Sequence, residues 1–213
     1  MIFFVPAYDP ATESNLAVAE RIVPEVCHSL LGPLATRSRL ISALSRETVP
    51  LFAMAHGRPY RLLAHKGETA LTAEDSILLA RRPVFVYACH TATELGEVAA
   101  RNGVVWWGYT GAVAAPDSAP MFLPLFVGIF AFIRDVFPHA SSPEEHGSVL
   151  LRLAELCQDA EQSIADRLDE DPDLDVAPAY FCLSHLWQRL RVWSPGRDSP
   201  TMHPHAAPPI LLP

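Results

Sequence analysis

No CxxC pair occurs in the 213 residues; the four cysteines, Cys27, Cys89, Cys157 and Cys182, are widely scattered. That spacing excludes a zinc knuckle and a thioredoxin-type redox motif. Basic residues are in short supply, 16 Lys and Arg against 24 Asp and Glu, and the formal net charge is −8 with no basic stripe. Nucleic acid is therefore not an expected partner. No apolar run reaches the roughly 20 residues that a membrane span needs. The longest, "PMFLPLFVGIFAFI" at 120–133, reads as a buried helix. The opening "MIFFVPAYDP" is apolar but lacks the positive flank of a signal peptide. The expected setting is a reducing cytoplasm with free thiols. No internal repeat is found.

Half the residues are hydrophobic, enough for a substantial core. Continuous apolar runs predict strands near 2–6, 50–55, 84–89 and 104–109. Between them lie helical segments. "DPATESNLAVAERIVPEVCHSLL" has Thr12 or Ser14 as its cap and Leu16, Ala19, Ile22 and Val23 on its apolar face. "TRSRLISALSRE" and "TELGEVAARNG" are further helices, the latter closed by Gly103. Lys66-Gly67 marks a hairpin, and Thr72 with Asp75 a capping box. Apolar strands alternating with helices predict an α/β fold: a mainly parallel sheet with helices on both faces. Residues 1–140 form the expected core. Residues 141–193 read as a helical C-terminal extension of two amphipathic helices, without a strand partner. The proline-rich stretch 194–213 reads as a mobile tail.

In such sheets the active crevice lies beyond the carboxyl ends of the strands. Two strands end there in reactive side chains: "VPLFAMAHG", residues 49–57, in His56-Gly57, and "VFVYACHTATELG", residues 84–96, in Cys89. If these strands are neighbours they lie about 4.8 Å apart. Most cysteines and histidines are packing residues, and Cys27, Cys157 and Cys182 are assigned to packing. Cys89 differs in position, with a helix start expected just after it whose N–H groups would stabilise a thiolate. Gly57 lets a carbonyl approach the backbone closely. Cys89 as nucleophile, His56 as proton partner, and the N–H groups of Gly57 and Cys89 as an oxyanion hole would complete an amide-cleaving site.

With these motifs, "FAMAHG" and "FVYACHT", the chain resembles the caspase-like (clan CD) cysteine peptidases, in particular their short bacterial CHAT-type branch. In that family one strand ends in His-Gly and the next sheet strand in the catalytic cysteine. A small hairpin and short helix lie between, as in "YRLLAHKGETALTAEDSILL". A helix, a strand, an aspartate-containing loop and a long helix follow, matched by "ELGEVAARNG", "VVWWGYTGAV" and "APDSAPMFLPLFVGIF". The likeness covers residues 1 to about 137. It implies a three-layer caspase-like fold and a cysteine endopeptidase with a His56–Cys89 dyad and no cofactor or metal. It also implies a protein substrate, with a bacterial gasdermin as a candidate, an activating sensor protein, and a place in antiphage defence or cell death. Tyr87 stands where caspases have glutamine and metacaspases aspartate, and the final sheet strand by which caspases dimerise is not apparent.

Asp9 and Asp117 fall at carboxyl strand ends and read either as turn or cap carboxylates or as specificity residues. The family's loop after the first strand lines the primary pocket, so Asp9 would select Lys or Arg there. Alternatively Trp106, Trp107 and Tyr109 build an apolar pocket floored by Tyr87. Two other functions compete. An inactive caspase-like adaptor would use the apolar helix and the extension. A metal-dependent hydrolase on His56, Cys89 and His90 ranks last, because no carboxylate stands at suitable spacing.

Overall fold

Phe3, Phe52 and Phe85 stack in a row, with ring centroids 4.8 and 5.0 Å apart. They belong to three neighbouring strands: β1 (Ile2–Val5), β3 (Leu51–Met54) and β7 (Pro83–Tyr87). The structure, a computed structural model, describes residues 1–79 and 81–208. Adding β2 (His28–Leu31), β8 (Val105–Tyr109) and β9 (Leu190–Trp193) gives a six-stranded sheet in the order β2-β1-β3-β7-β8-β9. The first five strands are parallel and β9 is antiparallel. Residues 57–72 form a second, three-stranded antiparallel sheet of β4 (Gly57–Arg58), β5 (Arg61–Leu63) and β6 (Thr69–Thr72).

The central strands are apolar throughout because both faces are covered. On one face, Phe3, Val5, Phe52, Met54, Phe85, Tyr87, Trp107 and Tyr109 meet α1 (Pro10–Ile22), α4 (Leu123–Val136), α5 (Pro143–Glu170) and α6 (Ala177–Gln188). On the other, Ile2, Phe4, Leu51, Ala53, Val84, Val86 and Trp106 meet α2 (Arg37–Arg46), α3 (Leu95–Arg101) and the small sheet. This is a three-layer α/β arrangement. The four expected strands lie where the sequence predicts them, within about two residues at each end. The buried helix is α4, which sinks Phe126, Ile129, Phe130 and Ile133 into the core. Among the described residues no helix is long and apolar enough to cross a membrane.

Three readings are corrected. Residues 28–31 are strand β2, not the end of the first helix, which stops at Ile22 before Pro24. Residues 141–193 are not an appendage: Leu150, Leu153, Cys157, Leu183 and Leu186 share one core with the strands, and β9 completes the sheet against β8. The described part of the tail, 194–208, lies against the body. Thr201 bridges to Val192, Ala207 N–H donates to Gln188 O at 3.0 Å, and buried His203 packs on Trp187. Residues 209–213 lie outside the described residues.

Candidate active site

Strands β3 and β7 run side by side in a register that pairs Met54 with Tyr87. Ala55 N–H continues the ladder to Tyr87 O at 3.0 Å. Beyond this rung the ladder stops, and His56 and Cys89 follow their strands at the same carboxyl edge. The next residue, Gly57, packs directly on the cysteine's backbone. A Cβ there would lie 2.5 Å from Cys89 O, 2.6 Å from Thr91 Cγ2 and 2.9 Å from Ala88 Cβ. Glycine is required by this contact; the carbonyl that approaches it belongs to Cys89 itself.

Asp9 lies beside the histidine. The chain leaves β1, crosses to β2 on one side and returns to β3 on the other. The β1–β3 junction is thus the switch point of the sheet, where doubly wound folds open a crevice. Asp9 ends the segment after β1, and its Oδ2 is 2.8 Å from His56 Nε2. Its Oδ1 accepts the N–H of Thr12 at 2.9 Å and the Thr12 hydroxyl at 2.9 Å. Asp9, not Thr12 or Ser14, is therefore the N-cap of α1, with Pro10 at the first helical position. Burial raises the Asp9 pKa, but the bonds from the Thr12 N–H, His56 and the Thr12 hydroxyl outweigh it and hold the carboxyl below its ordinary value. Asp9 is thus committed to His56 and Thr12, which corrects its reading as a free pocket carboxylate. Both side chains keep some access to solvent, 38% for His56 and 33% for Asp9.

On its other side Cys89 meets the segment after β8. Val113 N–H points at Sγ from 3.4 Å, and the sulfur lies 3.7 Å from Val113 O. This segment is tied down three times: Tyr87 OH donates to Ala114 O, the Arg189 guanidinium donates to Ala112 O, and Thr110 N–H donates to Arg189 O at 3.1 Å. The helix expected directly after Cys89 begins only at Leu95, and Pro59 O already takes the N–H groups of Glu94 and Leu95. A helix dipole is therefore not what the sulfur meets. His90 instead adopts φ 62°, left-handed for a non-glycine residue, and its N–H bonds Gly111 O at 3.1 Å.

The expected oxyanion donors are the N–H groups of Gly57 and Cys89. That of Cys89 makes no hydrogen bond among the described residues. In β4–β5, Leu63 N–H donates to His56 O at 2.9 Å, so the next pair, Gly57–Leu62, is a non-bonded one. The Gly57 N–H is consequently directed away from β5.

The remaining expected pocket residues are elsewhere. Tyr87 is 1% exposed, with its hydroxyl on Ala114 O and 3.2 Å from Cys182 Sγ, so it supports the cleft from behind and lines no pocket. Trp106, Trp107 and Tyr109 are core residues, with the two tryptophans on opposite faces of the sheet. Asp117 is half-buried and caps Ala119 N–H at 2.8 Å. Cys157 and Cys182 are buried, and burial pushes the Cys182 thiol up to about 12. Among the described residues no three His, Cys, Asp or Glu side chains group to hold a metal ion. Compared with known proteins, the chain matches no family model, no curated protein and no solved structure.

Proposed function

We propose that the protein is a caspase-like cysteine endopeptidase with His56 and Cys89 as its dyad. The observation that carries this reading is that the neighbouring strands β3 and β7 lead into the two motifs at one sheet edge, with Gly57 against Cys89 O. The antiparallel small sheet between the two motifs and the closing strand β9 fit the same family pattern. In the reaction, the Cys89 thiolate attacks a peptide carbonyl and the C=O electron pair moves onto oxygen, facing the N–H groups of Gly57 and Cys89. Collapse expels the amine, which takes a proton from the His56 imidazolium. Water then adds to the thioester, giving its proton back to His56, and the thiolate leaves. The substrate class is a partner protein, and a bacterial gasdermin in an antiphage system is the first candidate.

The inactive adaptor is the second reading. It draws on Val113, whose N–H and carbonyl both contact the sulfur. An electrophilic peptide probe separates the two. Labelling of Cys89 that disappears in His56→Ala supports the peptidase; labelling at the rate of an ordinary surface thiol, indifferent to His56, supports the adaptor.

A further inference from the structure

We propose that Asp9 is a positioning residue that holds the His56 ring in its Nε2–H form, leaving Nδ1 as the nitrogen that exchanges protons with the reacting groups. This deepens the peptidase reading and rests on it. A carboxylate can only accept a hydrogen bond, so the 2.8 Å contact between Asp9 Oδ2 and His56 Nε2 requires the hydrogen on Nε2. In the neutral ring Nδ1 then carries the lone pair, and among the described residues it makes no hydrogen bond. When the ring becomes imidazolium, the negative charge of Asp9 offsets it.

The carboxylate is itself immobilised. The Thr12 N–H and hydroxyl hold its other oxygen, and Thr12 Oγ1 accepts the N–H groups of Tyr8 and Asp9 in return, at 3.0 and 3.1 Å. Helix α1, buried through Val18, Ala19 and Ile22, anchors this turn to the sheet. The Tyr8 ring adds a wall, 6.0 Å from the His56 ring and 5.8 Å from that of His65. The sequence separates Asp9 and His56 by 47 positions; only the β1–β3 pairing brings them together.

The test must separate this role from helix capping, since Asp9 does both. Serine caps a helix well but is too short to reach the ring, and asparagine caps while offering an N–H to Nε2. With the full-length protein, nitrogen NMR of histidine-labelled samples reads the His56 tautomer, and probe labelling reads Cys89 reactivity. Asp9→Ser and Asp9→Asn are expected to lose the Nε2–H signature and to slow labelling about 10²-fold, the low end of what a positioned acid–base group supplies, while both stay folded. A wild-type tautomer in Asp9→Ser overturns the proposal, whatever the labelling shows. A lost signature in a protein whose labelling never depended on His56 upholds the assignment of Asp9 to the ring and sinks the peptidase reading instead.

Discussion

The carbonyl oxygen of Cys89 lies 2.5 Å from the position that a Cβ on Gly57 would occupy. The two proposed catalytic strands are therefore in backbone contact just beyond the sheet. Gly57→Ala is expected to cost about 1–3 kcal/mol, the usual penalty of overpacking. It should also push the Cys89 backbone aside. Urea unfolding measures the first effect and probe labelling the second. Unchanged stability and labelling would show that the contact is not as close as described.

Cys89→Ala and His56→Ala are each expected to abolish cleavage of a natural target. Neither side chain belongs to either core cluster, so the melting temperature should move little. Full cleavage by Cys89→Ala would end the peptidase reading.

Tyr87→Phe tests the support beneath the loop over the thiol. It removes the hydroxyl that bonds Ala114 O and approaches Cys182, at an expected cost of about 1–3 kcal/mol for the orphaned carbonyl. Because Tyr87 is buried, the residue preferred before the scissile bond should not change. A peptide library run on both proteins checks this.

The charges around the nucleophile bear on that preference. With Asp9 committed to His56, the charged groups that act on His90 are Arg189 and Arg58. Burial lowers the His90 pKa most, and these two arginines lower it further. Substrates with an acidic side chain near the cleaved bond are expected to be cut faster than basic ones, and Arg58→Glu to narrow the difference. Strong cleavage confined to sites after Lys or Arg would overturn this expectation.

His146 should make stability depend on pH. It is fully buried, its Nε2 is 3.2 Å from Ala140 O and its ring edge packs on Trp107. Burial lowers its pKa most, against weaker opposing effects of Ala140 O, Glu145 and Glu144. The unfolded chain then binds the proton more readily, so stability is complete above the unfolded value near 6.5 and falls as pH drops below it. His90, His185 and His203 shift the same way. Asp9, Asp75 and Asp135 act only at lower pH, where their depressed carboxyls protonate. Between pH 7 and 5, urea midpoints should fall, and less steeply in His146→Gln.

The central strands and the His56 and Cys89 motifs were legible because their signals are local: unbroken apolar runs ending in a reactive residue at a known edge. The strands β2 and β9 were not. Each has only four residues and closely follows helical sequence, and β9 carries the buried Arg191. That guanidinium is satisfied by the carbonyls of Gln188, Leu190 and Ala207, a solution that no hydrophobic pattern reveals. The turn residues Ser194-Pro195-Gly196 after "RVW" were the available sign of a strand end. The partnership of Asp9 with His56 was hidden for another reason: it depends on strand order. Asp9-Pro10 at the exit of the first strand marked the cap, but nothing in the sequence says which strand lies beside β1.

The packing of α5, α6 and β9 into the main sheet has a kinetic side. During synthesis the ribosome releases β8 long before residues 190–193 arrive to pair with it. Until then Trp107, Tyr109 and the inner face of α4 have no cover from the last two helices. Contacts this distant along the chain close slowly, and the exposed intermediate is prone to associate. A fragment ending at residue 140 should therefore aggregate or need a chaperone, and the intact chain should acquire its thiol reactivity only after its final strand has been made.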